Sequence, residues 1–439
     1  TGRVSLRSAI QEANLLPGHD TIIVEAGTTL QSRLELPPLT DPEGVTIMAE
    51  GEGNFVYDGS AAANRLSGLV GLLSSKFDDL DVNDDMQLTF FETQALAFAD
   101  YRTILHHIGG VRFSDFQRID TDGDNRLSMA ELDGYIPSES GLIIASGNNI
   151  IRNITFVNFP FHGIRLDTPA ADNNIIQGCL IGTTGASDNG NKHHGILLSN
   201  GAENNLIGGT TEAARNIISG NGTPETGTDD MDNVVPLGFG NGVHLDGPDT
   251  TGNRIIGNYI GVNADGSAAV PNAFSGVVIT NGASGNFIGG SGAGAGNIIS
   301  GNGDASNGCP DNCGNGMRPF YGNGVYLDGS MTLDNVIQGN LVGVGAAGED
   351  VNNKTAGIRF DGAIGNLIGG PEPGAGNTIS GHGVNEFISG GIALLGCDST
   401  VVENNNVTGN GSGIFIEGGL NCGIGSPGAG NVFSGTTSG

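Results

Sequence analysis

The chain has 439 residues, with 47 acidic side chains against 17 basic ones and a net charge of −30. That balance excludes nucleic acid as a partner, because no patch able to neutralise phosphates can be assembled from it. No stretch approaches the roughly 18 to 20 apolar residues of a membrane span. Apolar content is 37%, Trp is absent and Gly numbers 78, which suits a thin column with many corners better than a globular interior.

Residues 5–16, SLRSAIQEANLL, place Leu6, Ala9, Ile10 and Ala13 on one helical face, with Pro17-Gly18 as the stop. A helix there caps the open end of a solenoid. The stretches 21–27 and 44–60 read as strands of its opening rungs. No signal peptide opens the sequence, so it reads as mature or trimmed.

From about residue 61 to 140 the Gly/Asn punctuation stops, and Phe, Leu and Asp take over. The organisation is therefore 1–60, cap helix and first rungs; 61–140, an inserted domain; and 141–439, the main solenoid. Within the insert, Asp81, Asn83, Asp85, Gln87 and Glu92 fall at positions 1, 3, 5, 7 and 12 of a twelve-residue loop. Asp120, Asp122, Asp124, Arg126 and Glu131 repeat that spacing. This is the EF-hand pattern: short oxygen ligands wrap the ion, position 7 gives its carbonyl, and the last Glu closes the sphere. Two calcium sites are expected, with Leu88 and Leu127 meeting in the bridge between the loops. Position 6 takes a positive φ; Asn125 suits it and Met86 does not, at about 1 kcal/mol. The second site is expected to be tighter, and the pair to brace the domain.

Beyond residue 141 a phrase Gly-apolar-x-apolar returns eight times, at Gly163, Gly195, Gly242, Gly276, Gly324, Gly357, Gly391 and Gly413. Between these lie variants of NRIIGNYIG, from Asn253, and NVIQGNLVG, from Asn335. A translational repeat of short strands means a solenoid. The fold expected is an all-β solenoid, a right-handed parallel β-helix with an inserted small α-helical EF-hand domain. Asn253, Asn286, Asn335 and Asn366, at matched turns, should stack into ladders that bond rung to rung. The phrases are 32, 47, 34, 48, 33, 34 and 22 residues apart, and the excess of the long rungs sits in loops 221–240 and 302–323, at one corner.

Strand alternation turns the third and fifth positions of each phrase outward. One outward column is Arg165, Leu197, His244, Val278, Tyr326, Arg359, Ala393, Phe415. The next is Asp167, Ser199, Asp246, Thr280, Asp328, Asp361, Leu395, Glu417. Asp167, Asp246, Asp328 and Asp361, with Arg165, His244 and Arg359, are the candidate catalytic groups if the face is an active site. Against this, Asp-Gly recurs as a corner whose carboxylate caps backbone N–H groups. Few bases and no Trp also weigh against a grip on sugars. His162, His193 and His194 precede the phrases and read as scattered.

Five cysteines are present. Cys309 and Cys313 share a loop, Cys397 and Cys422 stand at similar offsets in adjacent rungs, and each pair reads equally as bridged or reduced. Cys179 fills a slot held by Asn258 and Asn340 in sister repeats, and reads as a buried thiol.

SLRSAIQEANLLPGHDTIIV resembles the opening motif of bacterial right-handed parallel β-helix repeat proteins, written CSLREA, with Val4 for its Cys and Ser8 for its Glu. The coils from residue 141 resemble the same family. That resemblance implies a segment of a large surface-exposed protein, on a fold shared with polysaccharide lyases, hydrolases and epimerases. Gly381-His382-Gly383 resembles the GHG of the polygalacturonases, but it falls where sister repeats have Gly-Asn-Gly and reads as a neutral replacement. The final NVFSGTTSG follows a repeat phrase without a cap, so self-association through that rung is expected. The function expected is an extracellular or cell-surface, calcium-binding structural or adhesive protein, such as a filament or surface-layer subunit. The alternative is a polysaccharide lyase or glycoside hydrolase, or a carbohydrate-binding module, using the outward columns.

Overall fold

Strands of two to six residues recur in a fixed order, each pairing in parallel with its counterpart one turn on, and among the described residues they build three long sheets. The computed structural model describes residues 4–32, 35–61, 139–186, 189–222, 226–228, 234–236, 240–303, 321–382 and 390–435. From 62–138 it describes only 70, 73–74, 77–81, 83, 85–89, 93, 119, 124–129 and 132. Two sheets have eleven strands and the third has nine. A rung runs through one strand of each: Ile150–Arg152, then Ile154–Val157, then Ile164–Leu166, and so on. This is a parallel β-helix.

Inward positions form one continuous apolar column, with Ile164, Ile196, Val243, Val277, Val325, Ile358 and Ile392 stacked in register and fully buried. The repeat phrase must begin with Gly for want of space. A Cβ on Gly242 would lie 2.6 Å from Ile260 Cγ2 and 2.7 Å from the Gly276 carbonyl. The column and the rung above it leave no room for a side chain.

Three asparagine ladders hold the corners. The first runs Asn149, Asn174, Asn205, Asn253, Asn286, Asn335, Asn366, each Nδ2 donating to the next Oδ1 at 2.8 to 3.2 Å. A second runs from Asn216 through Asn258, Asn297, Asn340, Asn377 and Asn405 to Asn431. A third joins Asn191, Asn221, Asn272, Asn302 and Asn353. The expected ladders therefore form, but the left-handed backbone falls one place earlier in the first of them, on Asn173, Asn204 and Asp334 with φ of 57°, 54° and 56°. Side-chain bonding and chain reversal are divided between neighbours.

The helix Leu6–Ala13 starts at Ser5, whose hydroxyl accepts from the Ser8 N–H at 3.1 Å, and it buries Ile10 and Ala13 against the first rung. Every long excursion leaves from one corner, between the second eleven-stranded sheet and the nine-stranded sheet. The excursion from Phe55–Asp58 to Leu142–Ile144 is there, as are those from Ile217–Ile218 to Val243–Asp246, Ile298–Ile299 to Val325–Asp328, and Thr378–Ser380 to Ile392–Leu395. The third ladder stands at their base. The described ends of these connections thus lie at the edge where the strands of the nine-stranded sheet begin. No helix among the described residues is long and apolar enough to cross a membrane.

Candidate functional site on the nine-stranded face

The outward columns read from the sequence are in register. Arg165 pairs with Leu197, Leu197 with His244, His244 with Val278, Val278 with Tyr326, and Tyr326 with Arg359. In the second column Ser199 faces Asp246, Asp246 faces Thr280, and Asp328 faces Asp361. Val278, Tyr326, Arg359 and Ala393 point away from the core yet are buried, while Asp328 and Asp361 beside them stay partly exposed.

Tyr326, Asp328, Arg359 and Asp361 form one group. Arg359 Nε lies 3.2 Å from Asp361 Oδ1, and Nη2 lies 3.2 Å from Oδ2. The Tyr326 hydroxyl donates to the same Oδ2 at 3.1 Å. Asp328 sits one rung away, and among the described residues no guanidinium pairs with it. Burial raises its carboxyl above the ordinary range, the Asp361 carboxylate raises it further, and the Gly329 N–H works the other way. Burial and the two carboxylates push the Tyr326 phenol far up, so it stays a donor. The corner reading of Asp-Gly holds for the glycines, with φ of 87° at Gly247, 92° at Gly329 and 73° at Gly362. It does not account for the carboxylates of Asp246 and Asp361, which bind side chains instead.

Asp167 lies at the other end of the face, paired with Arg165 at 3.0 Å. Beside it the structure gathers four histidines: His162, His193 and His194, which read as scattered in the sequence, and His244 of the outward column. His162 stacks on His194 with centroids 5.1 Å apart and planes 14° off parallel; His193 packs edge-on to His162, and His244 edge-on to His194. The signal was present: His162 and His194 each directly precede the Gly of a repeat phrase and so occupy equivalent places on successive rungs. Burial holds His162 and His194 well below the ordinary imidazole value, helped by neighbouring imidazoles, and brings His193 and His244 down to about 4. His162 Nδ1 is buried without a hydrogen-bond partner among the described residues.

In the insert, Gln87–Thr89 pairs antiparallel with Arg126–Ser128, and Leu88 faces Leu127, both fully buried. Met86 and Asn125 hold φ of 63° and 64°. Asp81 accepts from the N–H groups of Asp85 and Met86 at 3.1 and 2.8 Å, and Asn83 Oδ1 from Asp85 at 3.1 Å. Asp85 accepts from the Gln87 N–H at 3.0 Å, and Asp124 from that of Arg126 at 2.7 Å. These backbone donors fix the side-chain oxygens of each loop against its own turn. Arg126 Nη1 already rests on Asp85 Oδ2 at 2.6 Å. Glu92, Asp120, Asp122 and Glu131 lie outside the described residues.

Cys179 is buried where an asparagine would stand, its N–H donating to Asn216 Oδ1 at 2.9 Å, and burial pushes its thiol up to about 12. Cys397 and Cys422 are free thiols on adjacent rungs, and the Cys422 Sγ donates to the Cys397 carbonyl. Cys309 and Cys313 lie outside the described residues. His382 takes a rung of the third ladder between Asn353 and Asn410, as its place in the repeat implied.

No protein-family model matches the chain, and no curated protein matches it. Among solved structures it is similar to one described as the crystal structure of pectate lyase Pel9A, at 11% identity, over 95% of this chain and 72% of that one, with a TM-score of 0.44. The order of its own sheets, strand on strand in parallel through every rung, makes this chain a parallel β-helix protein.

Proposed function

We propose that the chain is an extracellular, calcium-binding β-helix protein whose nine-stranded face binds and hydrolyses a neutral polysaccharide. One observation carries the reading. Asp328 and Asp361 are register partners on adjacent strands, yet their surroundings differ. Asp361 is held by Arg359 and Tyr326, whereas burial and a neighbouring carboxylate favour the protonated form of Asp328. A carboxyl that favours its protonated form, next to one held by a guanidinium and a phenol, suits a division into acid and base.

Asp328 would give its proton to the glycosidic oxygen as that bond breaks, Asp361 would form an ester at the anomeric carbon, and a water deprotonated by Asp328 would then cleave the ester. Strands are spaced about 4.8 Å apart, and the carboxyl groups of retaining glycosidases stand about 5 to 5.5 Å apart. The net charge of −30 favours a neutral polymer over an acidic one.

The insert would be an EF-hand pair. Positive φ at both sixth positions, the Leu88–Leu127 pair and the loop N–H bonds accepted by Asp81, Asn83, Asp85 and Asp124 support it. Gln87 and Arg126 would contribute backbone carbonyls, and Glu92, Asp120, Asp122 and Glu131 the remaining oxygens. Calcium there would supply charge that orders the two loops. Calcium outside cells is abundant enough to keep such modules loaded.

The test is release of reducing ends from a panel of neutral polysaccharides by the wild type and by Asp328→Asn. Cleavage of one polymer, lost in the variant, supports hydrolysis. A second reading, a structural or adhesive protein braced by calcium, draws on the same insert geometry; it is favoured if no polymer is cleaved while chelation lowers the melting temperature.

A further inference from the structure

Beside the histidine cluster a chain of hydrogen bonds has every proton fixed by the one before it. The Asn241 backbone N–H donates to His194 Nδ1 at 3.1 Å. A backbone N–H can only donate, so Nδ1 carries the lone pair, and in a neutral imidazole the proton is on Nε2. His194 Nε2 lies 3.2 Å from His244 Nδ1, which must then accept. The His244 proton is therefore on Nε2, which lies 2.9 Å from Thr280 Oγ1. Having accepted there, the Thr280 hydroxyl gives its own proton to Asp246 Oδ1 at 2.8 Å. Asn281 Nδ2 donates to the same oxygen at 2.7 Å.

Oδ1 of Asp246 is thus held by two donors. Oδ2 takes no hydrogen bond from the described residues, and the side chain is 34% exposed. Neutral rings are a condition of the relay, and burial supplies it for both. An aligned polar network of this kind is costly to bury unless complete, and here each member is satisfied. Asp246 faces Thr280, and the register that pairs Ile279 with Leu327 puts Asp328 opposite Thr280 on the following strand. Asp246 therefore stands two rungs, roughly 10 Å, from Asp328.

We propose that His194, His244 and Thr280 are positioning residues that anchor Asp246 by Oδ1 and present Oδ2 to a hydroxyl of the bound polysaccharide, two rungs from Asp328. This rests on the face being a polysaccharide site, but it does not require cleavage. A sugar hydroxyl donates its proton to Oδ2 and no bond is broken. The relay makes that carboxylate a rigid acceptor, whose orientation is set before the ligand arrives.

Two measurements on the full chain test it. The first is the 15N spectrum of its histidine side chains at neutral pH. His194 and His244 should both be neutral with the proton on Nε2; a proton on Nδ1, or an imidazolium, in either ring overturns the relay. The second is affinity electrophoresis through gels containing the same panel of neutral polysaccharides. The wild type should be retarded by one polymer. Asp246→Ala should bind it about tenfold more weakly and Thr280→Val several-fold more weakly, while Thr280→Ser, which keeps the hydroxyl, should match the wild type. Equal retardation of Asp246→Ala and the wild type overturns the proposal, as does retardation of none. Equal loss in Thr280→Val and Thr280→Ser assigns Thr280 a packing role and overturns the relay. If binding depends on Asp246 but no polymer is cleaved, hydrolysis fails and the positioning of Asp246 stands.

Discussion

The His382 imidazole donates from Nδ1 to Asn410 Oδ1 at 3.1 Å, so that a titratable ring stands as one rung of a ladder otherwise made of asparagine. Its other nitrogen faces Asn353 Nδ2 at 3.1 Å and accepts from it. A proton on that nitrogen would set two donors against each other inside the wall of the helix.

This makes a pH prediction with a definite sign. Burial brings the His382 value down to about 4, from an ordinary 6.5, with the Asn410 bond opposing. Between those values the unfolded chain binds a proton that the folded chain does not, so stability falls as pH drops from 6.5 towards 4. The loss attributable to this one buried ring is about 3 kcal/mol. His382→Asn completes the ladder and should unfold at a nearly unchanged temperature at pH 7. At pH 4.5 it should be more stable than the wild type. Equal acid sensitivity of the two proteins would contradict the assignment.

The second ladder gives a test of rung-to-rung bonding. Asn297 accepts from the backbone and side chain of Asn258 and donates to the Ile255 carbonyl and to Asn340. Asn297→Ala strands several buried groups at once and should cost about 3 kcal/mol or more. Asn431→Ala, at the last rung described, should cost less than about 1.5 kcal/mol, since Asn431 is half-buried and bonds on one side only. Urea midpoints compare the two; equal effects would mean that the ladder does not bear on stability.

Met86 adopts a left-handed backbone that favours glycine. Its side chain is 78% exposed, so nothing is lost in packing by removing it. Met86→Gly should relieve about 1 kcal/mol and tighten calcium binding at the proposed first loop by roughly fivefold. Calorimetric titration with calcium reads this directly. An unchanged affinity would show that the loop does not close around an ion through this turn.

How much of this was legible in the sequence depends on how local the cause is. The repeat phrase begins with Gly because Ile260 and the Gly276 carbonyl crowd Gly242. A crowding repeated at every rung leaves a repeated letter. The ladders and the column register were readable for the same reason. The pairing of Leu88 with Leu127 followed from the spacing of two loops. The histidine relay was not readable, since it joins His194, His244 and Thr280 from three rungs separated by loops of unequal length. Nor was the difference between Asp328 and Asp361, which stand at the same place in sister phrases. It lies in side-chain contacts across the rungs: Arg359 bonds Asp361 on its own strand, and Tyr326, at the matching place beside Asp328, reaches across to Asp361 instead.

The most direct test of the account is the rate at which Asp328→Asn, beside the wild type, releases reducing ends from the neutral polysaccharide panel. Removing a general acid should lower the rate by about a hundredfold or more, with the melting temperature little changed. A polymer cleaved equally by both proteins, or no polymer cleaved by the wild type, would contradict the assignment of this face as a hydrolytic site.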